Sequence, residues 1–324
     1  MNAAISNTEE STMKKQQLGR SGLEIAPLVF GGNVFGWTAD EATSFDLLDR
    51  FFERGFNAVD TADLYSSWAP GLSGGESETV IGKWLARRGR RDDVMLMTKV
   101  GLWERRKGLS AGNIAAAVDD SLKRLRTDYI DVYFAHLDDA EVPLAETLAA
   151  FGGLVEAGKI RAFGASNYSA ERLRESLSIS KAQNLPRYEV IQPQYNLYDR
   201  SFEAGLACVA GEHDLGVVSF YSLASGFLTG KYRSVDDIRG TAREPFLKDY
   251  FDERGLKLLD ALFEVADEVG ATPAQVALAW LMGRPHLTAP IASATSVAQL
   301  DDIMGAADLS LTADAVERLD IASR

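Results

Sequence analysis

Four polar residues close apolar runs or follow them, and their types make a proton-transfer set. Asp60 closes the run in AVDTADLY, and Tyr65 lies in the loop after it. Lys99 closes VMLMTKVG, and His136 closes DVYFAHLDD. A phenol titrates near ~10, too high for an efficient acid near neutrality. A neighbouring ammonium favours the phenolate and lowers that value. A buried ammonium in turn needs a carboxylate. Asp60, Lys99 and Tyr65 supply such a relay, and His136 suits orienting a carbonyl oxygen or moving its proton. Taken singly, Asp60 and Lys99 read as a structural ion pair and His136 as a core histidine. Sharing one register with Tyr65, they read better as catalytic.

These side chains converge only if the runs are neighbouring strands ending on the same side. The apolar runs are Leu28–Phe30, Ala58–Val59, Val94–Met97, Ile130–Phe134, Ile160–Phe163, Val190–Ile191, Val217–Tyr221 and Thr288–Ile291. Stretches of helical period separate them. Ile114, Val118, Leu122 and Leu125 share one face, as do Leu144, Leu148, Phe151 and Val155. Ser110 is placed to cap the first of these helices, and Pro273 fits the first turn of a later one. Alternating strands and helices imply parallel pairing with right-handed crossovers. Eight units predict an α/β fold, a closed (β/α)8 TIM barrel with catalytic groups where strands end. An open doubly wound sheet is the rival, but Gly31-Gly32-Asn33 is a poor substitute for G-x-G-x-x-G. Gln16–Leu18 and Glu24–Ile25 flank a glycine turn and predict an N-terminal β-hairpin. Residues 1–12 read as a disordered leader and 13–324 as one barrel domain with long βα loops. The longest connection, about Ala224–Asp252, is long enough to be functional.

The balance of 34 basic against 47 acidic residues gives a formal charge of −13. Such a chain repels phosphate backbones, so no nucleic-acid partner is expected. No run approaches the ~18 apolar residues of a membrane span, so no membrane partner is expected either. MNAAISNTEESTMKK lacks the apolar core of a secretory signal. Cys208 is the one cysteine, which fits a reducing, cytoplasmic setting. It falls on a helical stretch and is expected to be buried and inert. Three scattered histidines predict no metal site, with His213 and His286 structural.

The chain resembles the aldo-keto reductases from about Met13 onward. QLGRSGLEIAPLVFGG, VDTADLYS, TKVG, YFAHLDD, GASNYS, IQPQYN, LASGFLTGKY and SATSVAQL occur in that family's order and spacing. The resemblance implies reversible hydride transfer between nicotinamide and a carbonyl or alcohol, with Asp60, Tyr65, Lys99 and His136 as catalytic tetrad and Tyr65 as general acid. It implies NADP(H) bound extended. Gly32, Asn33, Val34 and Asp60 then lie beside the cofactor, and Ser166, Asn167 and Gln192 hold its carboxamide. Phe220 stacks under the nicotinamide. Tyr221, Ser222, Leu223, Ala224 and Ser225 follow the pyrophosphate, and Gly226, Gly230 and Lys231 close over it. Arg243 matches a phosphate-side arginine. Ser293, Thr295, Gln299 and Asp302 lie where the family holds the adenosine 2′-phosphate and adenine.

Two departures bear on cofactor choice. Several relatives place Lys or Arg where Ser293 and Gln299 stand, and an asparagine where Ile303 stands. NADPH is therefore expected to be preferred modestly, with measurable NADH use. Trp37, Trp68 and Trp103 follow the first three strands and are expected to line the substrate cleft. Trp84 and Trp280 read as packing residues. Arg87, Arg88, Arg90 and Arg91 read as a solvated helix end. Arg105, Arg106 and Lys107 read as solvated rather than as a greeting for an anionic substrate. The expected partner is a small carbonyl or alcohol, and the state a monomer or small homo-oligomer. A catabolic sugar or pyranoside dehydrogenase and a cofactor-binding regulatory subunit are alternatives within the same family.

Overall fold

A computed structural model describes residues 13–240 and 244–324; the expected leader and Arg243 lie outside the described residues. The chain opens on a hairpin in which β1 (Gln16–Gln17) pairs antiparallel with β2 (Glu24–Ile25). Gly19 turns between them with φ of 58°. A Cβ there would stand 2.2 Å from the Gly216 nitrogen, so only glycine lets the hairpin lie this close to the barrel.

Eight parallel strands follow. They are β3 (Val29–Gly31), β4 (Ala58–Asp60), β5 (Met95–Val100), β6 (Ile130–Ala135), β7 (Ile160–Ser166), β8 (Val190–Gln192), β9 (Gly216–Ser219) and β10 (Ala289–Ala292). Each pairs with the next, and β10 returns to β3 through Ile291↔Val29, which closes the barrel. The helices are α1 (Glu41–Glu53), α2 (Glu76–Arg88), α3 (Ala111–Leu125), α4 (Leu144–Glu156), α5 (Ala170–Gln183) and α6 (Leu206–His213), one after each strand from β3 to β8. The connection after β9 holds α7 (Val235–Ile238), α8 (Glu244–Leu247), α9 (Glu253–Val269) and α10 (Pro273–Met282). After β10 come α11 (Val297–Gly305) and α12 (Ala313–Ala322). The architecture is the expected (β/α)8 barrel with its hairpin.

Local chemistry sets the helix bounds. Ser110 accepts from the Asn113 amide and starts α3, whose buried face holds Ile114, Val118 and Leu125. Thr272 and Gln275 form a capping box with Pro273 in the first turn of α10. On α4, Leu154 rather than Val155 completes the buried stripe, and Val155 faces out. The face α6 buries is Val209 and Ala210, so Cys208 points outward and its thiol donates to Glu212. This corrects the expectation of a buried cysteine: its neighbours are apolar, but the inward face of the helix begins one residue later.

Two apolar layers hold the barrel. Val29, Met97, Val132, Phe134, Val190, Val218 and Ile291 fill its interior. Leu18, Leu23 and Ile25 of the hairpin segment join that interior cluster and stopper one end. Inside, Gly164 makes room for Phe134, whose ring atoms lie 2.5 Å from where a Cβ would be. The larger layer lies between strands and helices. Trp84 and Trp280 are packed there, their indole N–H groups donating to Asp49 and Asp320. Near the start of β6, Asp131 is fully buried between Arg91 at 2.7 Å and Arg161 at 2.9 Å. Arg88 grips Asp93 through two bonds. The basic run is therefore anchored at Arg88 and Arg91 rather than solvated throughout. Among the described residues no helix is long and apolar enough to cross a membrane.

Candidate active site

β4 and β5 are adjacent, with Asp60 opposite Met97, which brings Asp60 and Lys99 to one rim. The segment after β4 is fastened to β5 by Thr61 N–H to the Met97 carbonyl and Asp63 N–H to the Lys99 carbonyl. A turn closed by Tyr65 N–H to the Ala62 carbonyl then swings Tyr65 back over the rim. The Lys99 ammonium donates to Asp60 Oδ2 at 2.6 Å, to the Thr61 carbonyl at 2.7 Å and to the Tyr65 hydroxyl at 3.0 Å. Asp60 Oδ1 accepts from Gln192 Nε2 at 2.9 Å. The His136 ring centroid lies 6.4 Å from that of Tyr65. The four residues expected to converge do so.

Burial drives the electrostatics. It lowers the Lys99 ammonium from its ordinary value, and Asp60 opposes this. Burial and then the Asp60 carboxylate hold the Tyr65 phenol well above its usual value. The expected depression by Lys99 is thus outweighed, first by burial and then by the Asp60 carboxylate, to which the phenol itself donates at 3.5 Å. The phenol accordingly keeps its proton, the form a general acid requires. Burial, then Lys99, push the His136 imidazole well below its ordinary value. His136 is therefore neutral near pH 7, and its buried Nδ1 has no hydrogen-bond partner.

The His136 shift carries a stability expectation. The unfolded imidazole titrates near ~6.5, and the folded one lower, so the unfolded chain binds the extra proton first. Stability is complete above that value and falls as the pH drops below it. His136→Gln should flatten the acid side of a plot of melting temperature against pH. Parallel curves for the two proteins would show that His136 carries no such penalty.

Three tryptophans were expected at the cleft. Trp37 and Trp68 meet edge to face at 5.7 Å, and Trp68 meets Tyr65 at 5.6 Å. They are 40% and 45% exposed, so an apolar wall leads from solvent to the phenol. Trp103 is docked on the loop after β4: its N–H donates to the Ser73 carbonyl, and its ring lies against Arg105 and Arg124. Arg106 pairs with Asp120 and Lys107 with Glu104, so these basic groups serve the protein's own carboxylates.

The remaining expected residues follow the rim. Ser166 donates to the Gln192 carbonyl, and Asn167, at φ of 60°, donates to the His136 carbonyl. Phe220 packs on the interior cluster and meets Tyr221 edge to face. The expected strand Val217–Tyr221 ends early, at Ser219, because Tyr221 turns to φ of 52°. Ala224, Ser225 and Gly226 are also at positive φ. Such runs of left-handed residues curl the backbone into a concavity of N–H groups that suits a phosphate. Ser222 is buried and donates to the Ser219 carbonyl, Leu223 accepts the Gly226 and Leu228 amides, and Lys231 is exposed. Gly32 and Val34 are buried in a short turn after β3; a Cβ on Gly32 would press on Asp60 and Ser77. Ser293 donates to Asn33 at 2.5 Å across the β10–β3 seam. Thr295 donates to Gln299 Oε1 through both its amide and its hydroxyl. Asp302 accepts from Thr272 at 2.8 Å. Together these residues offer a phosphate cradle, an aromatic face and amide partners, which fit an extended dinucleotide. Among the described residues no group of His, Cys, Asp or Glu is placed to hold a metal.

The sequence reading missed the Thr61 carbonyl, two buried carboxyls, Asp63 and Glu78, and the half-buried Arg124. Asp63 had a visible signal, a carboxylate between two chosen residues. The Glu78–Arg124 pair, 2.6 Å apart across two helices, had none.

Residues 27–324 match the model of the Aldo/keto reductase family. The chain is 34% identical over 317 residues to "Uncharacterized oxidoreductase YrpG" of Bacillus subtilis, covering 95% of each chain. It is 32% identical to "Protein tas" of Escherichia coli, covering 95% of this chain and 97% of that one. It is 31% identical to "Probable voltage-gated potassium channel subunit beta" of Arabidopsis thaliana, covering 92% of each.

Proposed function

This chain belongs to the aldo/keto reductase family, and from that premise we propose that it is an NADP(H)-dependent reductase of aldehydes or ketones, running also in reverse as an alcohol dehydrogenase. One observation carries the reading: a buried Lys99 ammonium bridges the Asp60 carboxylate and the Tyr65 hydroxyl. NADPH, when bound along this rim, would supply the hydride that a carbonyl carbon accepts. Tyr65 breaks its O–H bond and gives the proton to the carbonyl oxygen. Lys99 then faces the phenolate and stabilises its charge, and Asp60 keeps Lys99 charged. Neutral His136 orients the carbonyl oxygen, and Trp37 and Trp68 exclude water from one side. Ser166, Asn167, Gln192 and Phe220 would hold the nicotinamide end, the Tyr221–Gly226 segment with Lys231 the pyrophosphate, and Ser293, Thr295 and Gln299 the adenosine end. The single exposed cysteine and the acidic charge support a cytoplasmic small-molecule enzyme.

The test is a paired NADPH and NADH assay with 4-nitrobenzaldehyde and a panel of carbonyls and alcohols. A second reading, a cofactor-binding regulatory subunit, is supported by the name of the Arabidopsis relative. Cofactor binding without turnover of any carbonyl would favour it.

Cofactor choice gives a further expectation. The segment from Ser293 to Ile303 holds no Lys or Arg, and its hydroxyls already bond within the protein. Neutral donors hold a 2′-phosphate about half as strongly as charged ones. NADPH should be preferred roughly tenfold, equivalent to about 1.4 kcal/mol, and Gln299→Arg should widen that ratio. KM values for both cofactors decide it. Equal use of NADH by the wild type would overturn the first claim, and an unchanged ratio in the variant the second.

A further inference from the structure

Behind the strand wall that carries Lys99 lies a second buried group of charges that the proposed reaction does not use. Glu78 of α2 is fully buried and accepts from Thr98 at 2.7 Å and from Arg124 of α3 at 2.6 Å. Arg124 thus neutralises Glu78 as Lys99 neutralises Asp60. A third carboxyl, Asp63, is fully buried between Asp60 and Tyr65 in the chain, and neither of its oxygens has a hydrogen-bond partner. The Tyr133 hydroxyl of β6 is buried and unpartnered as well. The two cations acting on Asp63 each already hold a carboxylate, so an ionised Asp63 would be the odd charge in a dry place.

We propose that Asp63 is a positioning residue for the general acid: buried without a partner for its carboxyl, on a segment whose amide donates to the Lys99 carbonyl, it opposes loss of the Tyr65 proton once ionised and so extends carbonyl reduction to higher pH. This rests on the reductase reading above. The charges that act on Asp63 are Glu78 of α2, Arg124 of α3 and Lys99 of β5, with the adjoining Leu64 amide the neighbouring backbone donor. Tyr65 and Tyr133 feel its charge in turn. Burial, then Glu78, push the Asp63 carboxyl well above the carboxylate range, against the pull of Arg124 and Lys99. A negative Asp63 opposes a phenolate, so its ionisation raises the pH at which Tyr65 loses its proton.

The experiment compares wild type with Asp63→Asn in two ways. The first is the pH dependence of kcat/KM for 4-nitrobenzaldehyde reduction with NADPH. The alkaline limb should move to lower pH by about half a unit or more in the variant. The second is melting temperature against pH, which needs no turnover. A carboxyl raised on folding binds its proton more tightly in the folded chain, so wild-type stability falls as pH rises above the unfolded value of ~3.9. The variant should lose less over that range. An unmoved limb, or a melting curve parallel to wild type, overturns the proposal. Asp63→Ser repeats both readings, and failure of both variants to fold also overturns it, since a neutral unpaired group is replaceable. Absence of turnover in the wild type defeats the reductase reading itself, whereas turnover with an unmoved limb defeats only the role of Asp63.

Discussion

Tyr65→Phe should lose carbonyl reduction by roughly 10²–10⁴-fold, the usual worth of a positioned general acid, while binding NADPH nearly as wild type does. The ring and its edge contact with Trp68 remain, and only the hydroxyl that Lys99 meets at 3.0 Å is removed. Lys99 keeps Asp60 and the Thr61 carbonyl as partners, so no charge is stranded and the fold should melt within a degree or two of wild type. The measurement is kcat at saturating NADPH beside a fluorescence titration of the cofactor. Near-wild-type turnover would remove Tyr65 from its role; lost cofactor affinity would mean that the hydroxyl serves cofactor binding rather than proton transfer alone.

The meeting of Asp60, Tyr65, Lys99 and His136 was legible because they close apolar runs or follow them, and strands of a parallel barrel present their ends on one rim. The same rule blurred the strand bounds. β5 runs on through Lys99 to Val100, and β7 runs on to Ser166. A search for apolar runs halts at the first polar residue, which in a barrel enzyme is often still in the strand. The Glu78–Arg124 pair was invisible for another reason: its partners are 46 residues apart, and only packing of α2 on α3 relates them. Cys208 was misjudged because apolar neighbours say that a helix is amphipathic, not which of two adjacent residues faces inward.

Lys99→Met should cost both activity and stability. Lys99 and Asp60 are almost fully buried. Removing one member of a buried pair leaves the other uncompensated, at about 3–5 kcal/mol. Asp60 would retain Gln192 at 2.9 Å and a long 3.5 Å bond from the Tyr65 hydroxyl, both neutral donors. Activity should fall at least as far as in Tyr65→Phe, because the phenolate would form with no cation beside it. Adding Asp60→Asn should recover much of the melting temperature and none of the turnover. That split separates the structural charge balance from the chemistry. A single variant with wild-type stability and an unchanged pH–rate profile would show that Lys99 and Tyr65 do not work as a pair.

The seam between β10 and β3 has a consequence for how the molecule is made. Ile291 pairs with Val29, and Ser293 bonds Asn33, so the first barrel strand finds one of its two neighbours only when Ile291, 262 residues further on (291 − 29), has been made. β3 is buried throughout, and Leu18, Leu23 and Ile25 belong to the same interior. During translation that apolar N-terminal stretch waits with one edge open. Contacts so distant in sequence form slowly, and an unpaired apolar edge is the usual start of misassembly. The last barrel strand therefore closes the sheet and, with it, the rim where the proposed cofactor would lie. A nascent chain stopped before Ala289 should be degraded or held by chaperones, whatever the state of its catalytic residues.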